Sequence, residues 1–423
     1  MEIKIRQHEI QDITLGDKAL VFLTGLQFLL ATIGDRVGDA GISSSLFRGL
    51  HFSDLLTPIF VLCVILLLPK ITRIIGTSVK FAVFGWLAYC FTFGILGPFF
   101  ISTGTNVPLG VGLLFAGKEL QFLSFFLLCV YVANKVPLTA IRFLNWVGLL
   151  LVVWLFKEMI DPTGYYLVGL PFEKGASQTG AVYALLGVAM FYIQTLAKTT
   201  LTRRIILFIL GIALVIGSIL SLSRSAVLGL GIAYFVGMVR SLRQFRIAVL
   251  ILLLMWLSFV LLADTGFVGS SDFIFDRWAD VNEHAGYRIS KWNDLVGFIL
   301  DHPVSLLIGA GLGTPNYLVL GPELGVMLAV DSGYVRRLFE VGIFGSVFYI
   351  LVFLTLWNRA RKLQVGTAIF GLICVIGGTS ITLEAFQVSQ TALLFFGLCG
   401  IYIGVATNKR DTDRHWMEER KQG

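Results

Sequence analysis

Apolar residues recur along this chain in stretches close to the length a helix needs to cross a membrane, and no other feature narrows its fold so far. About twelve qualify, at 19–33, 54–69, 78–101, 112–133, 143–157, 178–197, 205–221, 225–239, 247–263, 338–357, 364–380 and 386–406. A hydrocarbon core of ~30 Å takes about 20 apolar residues at a rise of ~1.5 Å each. Hydrophobic residues make up 56% of the chain and charged ones 14%, with a mean hydropathy of +0.84. A soluble domain can neither bury nor tolerate that much apolar surface. The expected fold is an all-α polytopic integral membrane protein of about twelve transmembrane helices, forming one domain over residues 1–423.

The charges between the stretches give the expected topology. Threaded from a cytoplasmic N-terminus, every second connection is basic: Lys4, Arg6 and Lys18; Lys70, Arg73 and Lys80; Lys135 and Arg142; Lys198, Arg203 and Arg204; Arg240, Arg243 and Arg246; Arg359, Arg361 and Lys362; and the tail from Lys409. These are 22 of the 33 lysines and arginines, against 8 of the 26 acidic residues. Such a bias toward the cytoplasm sets orientation. It also accounts for the net charge of +7 without a nucleic-acid partner. Both termini are expected in the cytoplasm. Met1–Gly16 is polar and charged, with no apolar core ahead of a small-residue cleavage site. The cysteines (Cys63, Cys90, Cys129, Cys374, Cys399) lie inside apolar stretches without paired spacing and read as buried thiols. No repeat of 33 or 40 residues is visible, nor the inverted repeat of many transporters.

One segment stands apart. Residues 264–337 form a single long outer loop between the ninth and tenth stretches, and long loops in compact proteins usually carry function. Its first half crowds Asp272, Asp276, Arg277, Asp280, Glu283, His284, Arg288, Lys291 and Asp294. Ile289, Trp292, Val296 and Ile299 are spaced to share one apolar helix face, so an amphipathic helix is expected to end near Leu300, before the break at Asp301-His302-Pro303. The run Gly309-Ala310-Gly311-Leu312-Gly313 lacks the strand and opening helix of a dinucleotide fingerprint. It is expected to form a tight turn where backbone approaches backbone or ligand. His302, next to Pro303, reads as structural. Gly229, Gly231 and Gly237 suggest a close helix contact in the eighth stretch.

The order of short motifs on the outer side carries a family likeness. Ser221-Leu222-Ser223-Arg224-Ser225-Ala226 is followed by Arg288 and Trp292, then His302-Pro303 and Leu307-Ile308-Gly309-Ala310-Gly311-Leu312-Gly313. Asp331-Ser332-Gly333-Tyr334 and Glu340-Val341-Gly342-Ile343-Phe344-Gly345 close the series. This order resembles the bacterial O-antigen polymerase and ligase superfamily, the Wzy and WaaL-like lipid-linked glycosyltransferases. The resemblance implies transfer of a sugar chain from an undecaprenyl-diphosphate carrier at the periplasmic face of the bacterial inner membrane. Ligases deliver it to lipid A-core, and polymerases to another carrier-linked repeat unit. Ligases typically place histidine and asparagine where this chain has Asp331-Ser332, which favours a polymerase. A chain-length regulator is an implied partner, and no cofactor is.

The residues carry the same chemistry independently of the likeness. A lipid diphosphate leaving group bears about two negative charges, and its departure needs positive charge at the developing phosphate anion. No Asp-x-Asp metal signature stands out, so arginine, whose planar fork grips phosphate oxygens in pairs, is the expected donor. Arg224 and Arg288 are the first choices. The acceptor hydroxyl needs a group to orient it and take its proton, for which Asp331, Glu158, Glu340 and His284 are available. Asp331 is equally placed to cap the helix starting near Tyr334. The catalytic set is therefore Asp331, Arg224, Arg288 and Glu158. Substrate contacts are assigned to Arg336, Arg337, Tyr334, Arg277, Lys291 and His284, with no metal. Arg336 and Arg337 sit at the outer mouth of a stretch, against the charge rule, where one could instead snorkel. Lys118-Glu119 and Lys157-Glu158 lie near outer helix ends, where ionisable groups are costly. Adjacent residues do not share a helix face, so each is expected to find its own partner. The competing readings are an O-antigen ligase, a lipid-oligosaccharide flippase, which would carry charges near mid-membrane, and a non-enzymatic scaffold.

Overall fold

A computed structural model describes residues 14–33, 52–100, 109–160, 168, 170–171, 176–193, 196, 201–221, 223–239, 281–316, 332–381 and 389–422. Among these residues the structure is helical, without β-strands. The helices are α1 (Leu15–Ile33), α2 (Thr57–Ile75), α3 (Thr77–Phe99, with a π-helical turn at Cys90–Gly94), α4 (Leu109–Lys135), α5 (Pro137–Ile160), α6 (Ala176–Ile193), α7 (Leu201–Leu220) and α8 (Arg224–Val239). They continue as α9 (Val281–Asp301), α10 (Pro303–Ile308), α11 (Gly333–Lys362), α12 (Gly366–Thr379) and α13 (Ser389–Gln422).

Eleven of the twelve apolar stretches are helices; the stretch 247–263 lies outside the described residues. Eight helices are long and apolar enough to cross a membrane: α1–α5, α7, α11 and α13. The shorter apolar helices are α6, α8 and α12. The chain is a polytopic membrane protein. Two helices outrun their apolar stretches. α13 continues past residue 406 through the charged tail to Gln422, and α11 begins at Gly333, so that Arg336, Arg337 and Glu340 sit in its first turns. Ser332 supplies its N-cap, its hydroxyl accepting from the Val335 amide. This corrects the expectation for Asp331, which lies outside the described residues: the cap is its neighbour.

Small residues set the closest helix contacts, as expected where lipid gives no hydrophobic reason for helices to associate and packing must hold them. α13 lies along α4, with Gly397, Gly400 and Gly404 turned toward it. A Cβ at Gly400 would stand 2.6 Å from the Phe126 carbonyl oxygen. α8 meets α12 the same way, Gly229 against Val375 and Gly378. Only part of the expected glycine stripe on α8 serves this contact, because Gly231 faces open space.

The two ends of the bundle differ in chemistry. At one end Asn408 donates to the Asn134 carbonyl (2.8 Å), Tyr131 donates to Asp17 (3.1 Å), and Arg359 donates to the Ile74 carbonyl. The basic residues Lys135, Arg361, Lys362 and Arg410 belong to the same helix ends. The far ends of these helices gather the residues that the sequence singled out.

Candidate functional site

At that far end, residues 309–315 do not ride on the surface as a free loop. Gly309, Ala310, Gly311, Leu312, Gly313, Thr314 and Pro315 are buried among helix ends. The Leu312 amide donates to the Gly94 carbonyl (2.8 Å). Gly94 lies five residues before α3 ends at Phe99, about 7.5 Å inward at ~1.5 Å per residue. The three glycines have φ of 90°, 101° and 76°, values that side-chain-bearing residues rarely adopt. A Cβ on Gly309 would strike the Glu340 carbonyl, one on Gly311 the Pro98 ring, and one on Gly313 the Phe115 ring. The expected tight turn is there, and what it approaches closely is protein.

α11 opens to receive it. Gly342 breaks the helix with φ 63° and ψ −169°, and a Cβ there would lie 2.5 Å from the Gly309 nitrogen. Just before the break, the Phe339 carbonyl accepts from the Ala310 amide (2.8 Å) and the Glu340 carbonyl from the Gly311 amide (3.0 Å). Tyr89 donates to the Val341 carbonyl at 2.8 Å and approaches the Ile308 carbonyl at 3.1 Å. Backbone polar groups cannot be left orphaned in a buried setting, and here an inserted segment and a helix break satisfy one another.

Four charged side chains lie beside this joint. Arg336 is 2% exposed, Arg337 6%, Glu119 4% and Glu340 0%. Glu340 Oε1 accepts from Arg336 Nε (2.9 Å) and from the Gly313 amide (3.0 Å). Arg337 pairs with Glu119, whose other oxygen accepts from the Trp86 indole N–H (3.0 Å). Arg337 also lies 3.9 Å from Glu340, with its guanidinium over the Tyr349 ring, 4.9 Å from the centroid. Arg336 stands over Phe115 at 5.6 Å. Two positive and two negative groups thus balance. Glu119 sits ten residues into α4, about 15 Å along its axis. The two arginines that break the charge rule are explained by carboxylates brought to them from α4 and from their own helix.

The other assigned residues are distributed as follows. Arg224 opens α8 and is half-buried. Its turn is held by Ser221 and Ser223: Ser221 donates to the Ser218 carbonyl (2.6 Å), Ser218 to the Gly180 carbonyl (3.0 Å), and the Ala226 amide to Ser223 Oγ (3.4 Å). Among the described residues no carboxylate pairs with Arg224. Glu158, at the end of α5, is 1% exposed and ion-paired with Lys157 (3.0 Å). Neighbours in sequence therefore do partner each other here, contrary to expectation, because at a helix end a long lysine can fold back over one residue. Lys157 also covers Trp154, 5.0 Å from the ring. Tyr334 is exposed and donates to the Gly377 carbonyl (2.8 Å), tying α11 to α12 together with the bond from the Gly333 amide to the Ser380 carbonyl (2.8 Å). Arg288, His284 and Lys291 belong to α9, and their side chains lie outside the described residues. Arg277 and Asp331 lie outside them entirely.

α9 docks on this end through a face that includes Ile299 of the expected set and is centred on Leu295. Leu295 and Ile299 are buried against Phe339 and Ala310, with Phe298 alongside, whereas Ile289 is half exposed. His302 closes the helix: its ring stacks on Phe298 (4.5 Å) and its Nδ1–H donates to the Phe298 carbonyl (2.8 Å), the structural role expected of it. Trp86, Tyr89 and Phe115 complete the site without being marked in the sequence. Aromatic residues in an apolar run carry no signal of their own, and only Glu119, an acid inside such a run, hinted that partners were needed.

Fold and site together define a polytopic membrane protein with a buried ion-pair cluster and an inserted glycine-rich segment at one end of its bundle. Residues 209–350 match the family model described as O-antigen ligase. The match is consistent with the O-antigen polymerase and ligase superfamily that the motif order indicates. It takes in Arg224, α9, the inserted segment and the arginine pair of α11. No curated protein matches the chain.

Proposed function

We propose that the protein polymerises lipid-linked polysaccharide repeat units, O-antigen or a related surface polysaccharide. The growing glycan leaves undecaprenyl diphosphate and joins another carrier-linked repeat at the periplasmic face of the bacterial inner membrane. Both termini are cytoplasmic in this reading, and residues 264–337 belong to the periplasmic side. The observation that carries it is the family match over residues 209–350. A half-buried arginine without a carboxylate partner among the described residues, at the same bundle end as α9, supports it. The departure at Asp331-Ser332 from the histidine–asparagine of ligases favours polymerase over ligase.

In the step itself, the bond between the anomeric carbon and the diphosphate oxygen breaks, and the electron pair leaves with the diphosphate. A bond forms from the acceptor hydroxyl oxygen to that carbon, and the hydroxyl proton passes to a base. Arg224 and Arg288 grip the diphosphate oxygens as charge builds, without a metal. Asp331 takes the proton, with Glu158 or His284 as the alternatives. Arg277, Lys291 and Tyr334 contact the substrate from the rim. Arg336 and Arg337, each facing a carboxylate, act on the substrate through the scaffold they hold together. A chain-length regulator acts alongside.

Incubation of the purified protein with one synthetic lipid-diphosphate repeat unit tests the proposal. A ladder of lengthening products, persisting in chelator, is expected. A single transfer to lipid A-core would make the protein a ligase, and transport without transfer a flippase. Rescue of a chelated sample by Mg²⁺ would replace the arginine assignment with a metal. Asp331→Asn removes a base and is expected to abolish the ladder; an active variant would move the base to Glu158 or His284.

A further inference from the structure

α9, the helix that carries Arg288, reaches the bundle through very few described contacts. Leu295 and Ile299 pack on Phe339 and Ala310; after His302 the chain turns through α10 into the buried glycines. Whatever fixes residues 309–313 against α11 therefore fixes the seat of α9. Glu340 holds that joint in three ways. Its side chain accepts from the Gly313 amide, its backbone carbonyl accepts from the Gly311 amide, and its carboxylate is in turn oriented by Arg336 Nε. It is wholly buried, and its neighbour Phe339 supplies both the apolar contact to α9 and the carbonyl that receives Ala310. A carboxylate that accepts a backbone amide and an arginine at once makes charge-assisted bonds, stronger and more directional than neutral ones. Buried Leu312 and Ala310 and the bond from the Leu312 amide to the Gly94 carbonyl also hold the turn; Glu340 adds a charge-assisted anchor at Gly313.

We propose that Glu340 is the positioning residue of this site. It keys the glycine turn into the break at Gly342, and through Phe339 and Ala310 it sets the seat of α9, the helix on which Arg288 lies. The catalytic half of this statement rests on the role given to Arg288 above; the keying of the turn does not. Glu340 acts through the joint and touches no substrate. Removing it leaves every proposed catalytic group in the chain and displaces one of them. Misplacement by about 1 Å from a residue remote from the chemistry can cost ~100-fold in rate. An interaction expressed only in the transition state lowers kcat and leaves KM in place.

The test uses the full-length protein in lipid nanodiscs, with Glu340→Ala, Glu340→Gln and Arg288→Ala. Glutamine keeps an acceptor for the Gly313 amide and loses the charge. Two readouts are taken: amide hydrogen exchange along the chain, and steady-state transfer with the synthetic lipid-diphosphate repeat unit. In Glu340→Ala, exchange is expected to rise over 309–316 and over α9 while α4 and α13 stay protected. Its kcat falls ~100-fold at unchanged KM, and Glu340→Gln lies between it and the unsubstituted protein in both readouts. Unchanged exchange at Gly311 and Gly313 in both variants overturns the keying, and glutamine alone decides this if alanine fails to fold. Raised exchange with full turnover, while Arg288→Ala is inactive, overturns the positioning role. Raised exchange with full turnover in Arg288→Ala as well overturns the catalytic half through the reading of Arg288 on which it rests, and leaves the keyed joint standing.

Discussion

Two sets of arginines stand at the same end of this bundle in opposite electrostatic settings. Arg336 and Arg337 are buried with Glu340 and Glu119, so that their charges cancel inside the protein. Arg224 is half-buried in a turn of serines, and no carboxylate among the described residues pairs with it. Desolvating an arginine is tolerable only when a partner restores what water gave. The first pair has found its partners in the chain and serves the scaffold. Arg224 has no carboxylate partner among the described residues, and the proposed function gives its fork a negative group of the substrate. Arginine content alone would have put all three in one class.

The contrast breaks first at the buried pair. Glu119→Ala leaves Arg336 and Arg337 to share the single carboxylate of Glu340, and loss of one partner of a buried pair costs about 3–5 kcal/mol. A large fall in the thermal midpoint of the detergent-solubilised protein is expected. Combining Glu119→Gln with Arg337→Met should restore much of it, because a pair replaced by uncharged groups leaves no orphan charge. Equal stability in Glu119→Ala and the parent would mean that the cluster is not held as described.

At Arg224 the expected loss is in turnover and not in folding. Arg224→Ala should lower transfer from the lipid-diphosphate donor by ~100–1,000-fold, about 2.7–4 kcal/mol, the magnitude of losing one donor to a developing anion. Arg224→Lys keeps the charge and loses the paired donors, so it should remain strongly impaired. Ladders of normal length at normal protein level in both variants would erase the distinction between the two settings.

The smallest effect concerns the start of α11. Ser332→Ala removes the cap, which costs about 1 kcal/mol, read as a modest drop in midpoint with turnover retained. Asp331→Asn should leave the midpoint alone, because the neighbouring serine is the cap. A midpoint lowered by Asp331→Asn and untouched by Ser332→Ala would return capping to the aspartate.

How much was legible beforehand varies with the kind of signal. Eleven apolar stretches became helices because crossing length and composition are local properties of the chain. The glycine turn at 309–313 was legible as a turn, and its positive φ values agree, but not as an inserted one. Nothing in Gly309 or Gly313 says that Gly94, Pro98 and Phe115 wait on the other side. Of the apolar face expected on α9, Ile299 is covered and Ile289 is not, because Ile289 fits the helical period as well as Ile299 and only docking decides which is covered.

By itself, then, the sequence determined the helical, membrane-crossing class and the distribution of basic residues between connections, because hydropathy and charge act residue by residue against lipid and water. It also determined the motif order that the family match takes in. The tertiary structure alone decided which charges cancel. Glu119 and Arg337 lie 218 positions apart in the chain, and whether an arginine faces a carboxylate or an open site depends on which helices become neighbours. Pairing at that separation leaves no local trace, since each residue's spacing and composition are the same with its partner or without it.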